Sequence, residues 1–302
     1  MFSTSSLAGL HTALATPFLK GEIDWTSLKK IVRQQLDGGV DGIVVCGTTA
    51  ESPTLTKDEK KQLFEFIRSE VAGQVTLTMG TGSYSTAETI QSTKEAKAMG
   101  AAAALVVVPY YNKPSQRGLI LHYTKVAQEG GLPVILYNVP GRTVARLELE
   151  TVQTLSKVEG IVAIKEATGD IEFGEQIAKT TTLLLLSGDD ESCMRLASVG
   201  GRGVISVISH LIPKVMSSLL SRAVQGFEKK DLGVADQVQK EWATRFGDLN
   251  RDLYLEGNPV PLKYAMAKMG LIESDEMRLP LTALDEKFRT TVDRALKAGG
   301  LL

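Results

Sequence analysis

The sequence predicts an α/β fold, a (β/α)8 TIM barrel followed by a small C-terminal helical extension, and three observations predict it. Eight short β-rich apolar runs recur with amphipathic helical stretches between them. Their spacing of roughly 20 to 35 residues is the length of one βα unit. Several runs lack alternation, as in Leu105-Val106-Val107-Val108, which is the pattern of parallel strands covered on both faces. A chain of 302 residues also falls within the range that one such barrel absorbs, roughly 200 to 400 residues.

The expected strands lie near residues 12–15, 42–46, 75–79, 104–108, 134–137, 162–165, 183–186 and 204–207. Thr56-Lys57-Asp58-Glu59 has the spacing of a capping box at the head of a helix through residue 71. Ser85-Thr86-Ala87-Glu88 has the same spacing before a helix that runs to residue 99. Gly73 and Gly100 supply the stops. Residues 47–55 and 80–84 therefore leave the carboxyl ends of strands, where barrel enzymes build their sites. After about residue 225 the strand signals stop, and residues 235–246, 261–269 and 283–298 read as helices. The expected division is a barrel catalytic domain over 1–225 and a helical domain over 226–302, packed together because no Pro/Ser-rich linker separates them.

Composition removes several classes of function. With 34 Lys+Arg against 35 Asp+Glu, no basic field exists to hold nucleic acid or an anionic membrane surface. The longest apolar run, residues 101–109, is half of the roughly 18 residues a membrane span needs. Ala13-Leu14-Ala15 has the form of a signal-peptidase site, but no Lys or Arg precedes it, so the N-terminus is expected to belong to the fold. Two cysteines, Cys46 and Cys193, are too few for a disulfide framework, and a cytoplasmic location is expected. His11, His122 and His210 show no ligand spacing and read as structural or surface residues, so neither metal nor cofactor is expected. The Walker and dinucleotide glycine patterns are absent, although Gly188 and Gly203 flank strands seven and eight, where some barrels bind phosphate.

The chemistry is expected at the strand ends. Lys165 closes the sixth run, so its amine faces the barrel mouth over apolar walls, where it can attack a carbonyl carbon and form a Schiff base. The alternative is a structural lysine paired with Glu166. Tyr137 closes the fifth run and Tyr110-Tyr111 follow the fourth; with Thr49 they can form a proton relay, or merely pack the wall. Gly47-Thr48-Thr49-Ala50-Glu51-Ser52 offers backbone N–H groups and hydroxyls to a carboxylate, and Arg142 offers a fork to a second one.

These residues together resemble the pyruvate-dependent class I aldolase superfamily and, within it, the dihydrodipicolinate (4-hydroxy-tetrahydrodipicolinate) synthase family of lysine and diaminopimelate biosynthesis. The resemblance runs nearly end to end, through Ala15-Thr16-Pro17, Gly47-Thr48-Thr49-x-Glu51-Ser52, Gly80-Thr81-Gly82, Pro109-Tyr110-Tyr111-Asn112-x-Pro114-Ser115, Tyr137-Asn138-Val139-Pro140-x-Arg142-Thr143, Ile164-Lys165-Glu166-Ala167-Thr168, Leu186-Ser187-Gly188-Asp189-Asp190, Gly203-Val204-Ile205-Ser206-Val207 and Asn258-Pro259-x-Pro261-x-Lys263. It implies that Lys165 forms an imine with pyruvate, whose carboxylate rests on Thr48 and Thr49. It also implies a relay of Thr49, Tyr137 and Tyr111, with Tyr111 supplied by a neighbouring subunit, and hence a homotetramer built as a dimer of dimers. The second substrate it implies is L-aspartate 4-semialdehyde, with Arg142 receiving its carboxylate and Gly188 and Ile205 lining the pyruvate pocket.

Sibling aldolases, such as a sialate lyase or a 2-keto-3-deoxy sugar-acid aldolase, share the imine. Their polyol acceptors want neutral groups where this chain carries Arg142. Two departures from the family's pattern bear on expectation. Ala50 stands where the family has glycine, and activity is expected to survive it. The family's allosteric lysine site is matched at Ser52, Glu88 and Tyr110, but Lys57, Lys60 and Tyr84 replace His, His and Asn, so inhibition by lysine is expected to be weak or absent.

Overall fold

The computed structural model describes residues 3–302, apart from the side chain of Leu232. Eight parallel strands close into a barrel: β1 (Gly9–Ala13), β2 (Gly42–Val45), β3 (Thr76–Gly80), β4 (Ala103–Val107), β5 (Val134–Asn138), β6 (Ile161–Glu166), β7 (Leu184–Ser187) and β8 (Gly203–Ser206). β1 pairs with both β2 and β8, which leaves no free edge. The first strand begins three residues before the expected position. Its sequence, Gly-Leu-His-Thr-Ala, carries a histidine and a threonine in its middle, and both are buried, Thr12 on the helix side of the barrel wall and His11 on the same side as Ala13. Thr12 donates to Gln35 at 2.7 Å, and burial pushes the His11 imidazole below its usual range. Polar groups satisfied inside the wall hid this strand from an apolar pattern. Ala13-Leu14-Ala15 is the buried exit of β1, part of the barrel.

The outer helices follow their strands in order: α1 (Trp25–Asp37), α2 (Lys57–Val71), α3 (Thr86–Met99), α4 (Gln116–Gly130), α5 (Leu149–Leu155), α6 (Ile171–Thr180), α7 (Cys193–Ala197) and α8 (Pro213–Glu228). The capping box of α2 forms: Thr56 Oγ1 accepts from Glu59 N, and Glu59 accepts from Thr56 N at 2.8 Å. Its left-handed stop falls on Ala72, one residue ahead of Gly73. Ser85 caps α3, but the box is not reciprocal, because Glu88 accepts from Ser83 Oγ at 2.9 Å instead. Gly100 ends α3 with φ +94°, as expected.

Inside the barrel Ala13, Val44, Ala103, Leu105, Ile135, Ala163 and Leu186 fill the lumen, and Leu7 plugs it. The strand period of two then decides the mouth. Ile135 and Tyr137 face inward with Ala163 and Lys165, while Leu136 and Ile164 face the helices. After α8 come α9 (Leu232–Asp252), α10 (Val260–Lys268) and α11 (Glu286–Ala298). Val238, Trp242, Phe246 and Leu249 of α9 share one core with the barrel helices, so the extension packs directly on the barrel. The eighth barrel helix continues to Glu228, three residues beyond 225. No helix among the described residues is long and apolar enough to cross a membrane.

Candidate active site

Lys165 stands last but one in β6, 6% exposed, and its Nζ lies 4.2 Å from the centroid of the Tyr137 ring. Register makes the two direct neighbours across the β5–β6 ladder. Room for the lysine stem comes from Gly188, since a Cβ there would stand 2.9 Å from both Cγ and Cε of Lys165. Glu166 points to the opposite face of the strand. It accepts from Asn138 Nδ2 at 2.8 Å and from Thr168 N at 2.6 Å, and burial pushes its carboxyl up against those two hydrogen bonds. The pairing of Lys165 with Glu166 therefore does not form, and the amine is left facing the lumen.

A cavity of about 310 Å³ opens over Lys165, lined by Thr48, Thr49, Tyr137, Val139, Arg142, Gly188, Asp189, Val207, Tyr254 and Asn258, among others. On one side Thr48–Ala50 forms a single 3₁₀ turn after β2. The residue there that needs a left-handed backbone is Glu51, at φ +55°, and Ala50 is not among the positive-φ residues, so its methyl group meets no conformational penalty. On the other side Pro140–Thr143 forms one helical turn after β5, and Arg142 Nη2 reaches Asn258 O at 3.4 Å. Asn258 Nδ2 also donates to Thr49 Oγ1 at 2.9 Å. A residue of the C-terminal extension thus ties the two turns together.

Asp190 and His210 hold the Val207 part of the wall from behind. Asp190 Oδ2 accepts from Val207 N and Ile208 N, both at 2.8 Å, and burial pushes its carboxyl up to about 6. His210 pairs through Nδ1 with Val207 O at 2.8 Å while Nε2 accepts from Ala15 N at 3.0 Å, and burial pushes it down to about 4. His122 is likewise pushed down to about 4 by burial, bonded to Thr86 Oγ1 at 2.9 Å.

Of the expected site residues, Thr48, Thr49, Tyr137, Arg142, Lys165 and Gly188 converge on this cavity. Ile205 does not line it; it is buried in the layer beneath, packed with Tyr137, and Val207 takes the wall. Tyr111 is also outside: it is 90% exposed, with φ +73°. Ser52 is half-buried in the turn after Glu51, and Glu88 and Tyr110 sit together with Tyr84 on the barrel rim. The Tyr84 and Tyr110 rings meet edge to face at 5.5 Å. Tyr254 was not expected from sequence. It comes from the loop after α9, and nothing local in a lone tyrosine marks it as reaching a lysine 89 positions earlier. A larger groove of about 740 Å³, at the amino ends of β7 and β8, shares no residue with this cavity, and its Lys179 and Arg202 are already paired with Glu175 and Glu228.

A buried amine under a phenol, between two turns rich in anion donors, is a Schiff-base arrangement. The family model for the dihydrodipicolinate synthetase family matches residues 6–299 of this sequence. The chain belongs to that family. The 4-hydroxy-tetrahydrodipicolinate synthase of Bdellovibrio bacteriovorus is 48% identical over 97% of this chain and 98% of its own length. Among solved structures, dihydrodipicolinate synthase from Thermotoga maritima superposes with a TM-score of 0.91 at 37% identity, covering 98% of this chain and 99% of that one. A chloride-inhibited dihydrodipicolinate synthase from Acinetobacter baumannii, complexed with pyruvate, gives 0.89 at 40% identity with the same coverage.

Proposed function

We propose that this chain is a lyase of the class I aldolase type that condenses pyruvate with L-aspartate 4-semialdehyde, as in lysine and diaminopimelate biosynthesis. The observation that carries the reading is Lys165, buried against Tyr137 between two carboxylate-binding turns. Its Nζ attacks the pyruvate carbonyl carbon, a carbinolamine forms, and loss of water leaves an iminium. Thr48 and Thr49 receive the pyruvate carboxylate. The iminium acidifies the methyl group, and loss of a proton gives an enamine that attacks the aldehyde carbon of the second substrate. Arg142 holds that substrate's carboxylate with a charge-assisted fork, which favours it over a neutral polyol acceptor. Attack of the substrate amine on the imine carbon closes the ring and returns Lys165 as a free amine.

The proton relay is Thr49, Tyr137 and Tyr111. Tyr111 lies outside the cavity of its own chain, which supports its delivery to the site of a second copy and a homotetramer built as a dimer of dimers, working in the cytoplasm. Residues 1–225 carry the catalytic barrel, and 226–302 act as a helical domain that closes one wall.

Product mass after mixing the protein with both substrates tests the reading, with Lys165→Ala as control. The cyclic condensation product should appear only with Lys165 present, and borohydride should trap pyruvate on that residue alone. A pyruvate adduct on another lysine would overturn the assignment, and product with a sugar-derived aldehyde in place of the semialdehyde would move the function to a sibling aldolase.

A further inference from the structure

Two wholly buried charges stand behind the cavity and touch no reacting atom. Glu51 follows the Thr48–Ala50 turn directly, and its N–H closes that turn onto Thr48 O at 3.0 Å. Lys263, in α10, donates from Nζ to Glu51 Oε1 at 2.8 Å, with both side chains fully buried. The other oxygen, Oε2, accepts from Arg278 N at 3.0 Å. Lys263 also donates to Glu276 O and lies 4.4 Å from the centroid of the Phe18 ring, so the ammonium has a fixed place. The turn is meanwhile flanked by two non-glycine residues in left-handed backbone, Cys46 at φ +56° and Glu51 at φ +55°. Such conformations persist where surrounding contacts over-determine them, and they collect at ligand clamps.

We propose that Lys263 is a positioning residue for the pyruvate carboxylate, acting through Glu51 on the Thr48–Ala50 turn. The inference rests on the reading that the carboxylate sits on that turn. A buried ion pair contributes little net stability compared with an apolar pair of similar volume. Its directional hydrogen bonds, in contrast, hold the carboxylate of Glu51, and with it the backbone that aims the turn's donors. Those donors must lie at hydrogen-bond distance from an anion that Lys165 attacks, so a small rotation of the turn weakens the fit.

The test is the pyruvate concentration that half-saturates borohydride trapping, measured in the full-length oligomer for Glu51→Gln and for Glu51→Gln/Lys263→Met. The double substitution leaves no buried charge unpaired; if it fails to fold, the isosteric Glu51→Gln carries the test. Half-saturation should rise by about ten-fold, the order expected when binding groups shift by a fraction of an ångström. KM for the semialdehyde should stay within about two-fold, since the second substrate meets Arg142. Lower resistance to denaturant with unchanged half-saturation would overturn the proposal and leave the pair purely structural. Absence of trapping in the unsubstituted protein would instead overturn the functional reading on which it rests.

Discussion

Lys165, the expected imine-forming residue, and Tyr111, an expected member of its proton relay, are treated by the structure in opposite ways. Lys165 is 6% exposed, on a regular strand, with its stem fitted against Gly188. Tyr111 is 90% exposed on the loop after β4, with a left-handed backbone that a tyrosine adopts at a cost of roughly 1–2 kcal/mol. Lys113 in the same loop is left-handed too, at φ +46°. The barrel over-determines its lysine, whereas the Tyr111 ring stands exposed among the described residues. Under the proposed function a single chain thus builds most of a site and leaves one proton carrier to be placed by contact with another copy.

That contrast can be broken first at Tyr111. Tyr111→Phe should lower kcat by about 10²- to 10³-fold, the share of a general acid or base. If the tyrosine crosses between copies, mixing Tyr111→Phe with Lys165→Ala subunits by co-refolding should recover roughly a quarter of the activity, because one site in each mixed pair regains both groups. Recovery of none would return the tyrosine to its own chain.

The buried side of the comparison predicts acid sensitivity. His122 and His210 have folded pKa values lowered from 6.5 to about 4, so the folded state binds fewer protons, and their contribution to stability is lost as pH falls from about 6.5 through 4. Asp190 is raised from 3.8 to about 6; its contribution is present at low pH and lost as pH rises through 6, so it opposes the histidines. Each histidine shift corresponds to about 3 kcal/mol, and with His11 lowered as well the histidines outweigh the aspartate, so stability should fall from pH 7 to 4. Denaturant titrations across that range should show it, and His122→Gln should flatten the slope. A flat profile in the unsubstituted protein would contradict the assignment.

Arg142→Ala sharpens the comparison within the cavity. It should raise KM for the semialdehyde by about 10- to 100-fold and leave pyruvate trapping intact, because the lost fork touches only the second substrate. Equal loss of trapping would show that Arg142 serves pyruvate. The smallest effect is expected at the rim around Tyr110, where Glu88 is already engaged by Ser83. Lysine should inhibit weakly or not at all; halving of the rate by sub-millimolar lysine would refute this.

The barrel was legible in the chain because continuous apolar runs and helix caps are local signals. Lys165, Tyr137, Thr49 and Arg142 were legible because each closes or follows such a run; strand alternation turns the first two to the cavity, and the turns after β2 and β5 bring Thr49 and Arg142 to it. β1 was misplaced because His11 and Thr12 are polar yet buried, Thr12 with partners from distant segments and His11 against Ala8 O. Tyr254 escaped, and the part played by Asn258 was not foreseen, because both reach the site from beyond the barrel. The Asn258 bond to Thr49 spans 209 positions, a separation that no local pattern encodes.

That same span bears on synthesis. The clamp on Glu51 is completed by Lys263 and by the backbone of Arg278, 212 and 227 positions later. A nascent chain whose eight strands have already left the ribosome still lacks both partners of that carboxylate. The Thr48–Ala50 turn is therefore among the last features of the molecule to settle. A message cut short after the barrel encodes Lys165 and the Thr48–Ala50 turn but neither Lys263 nor Arg278, so it cannot complete the clamp on Glu51.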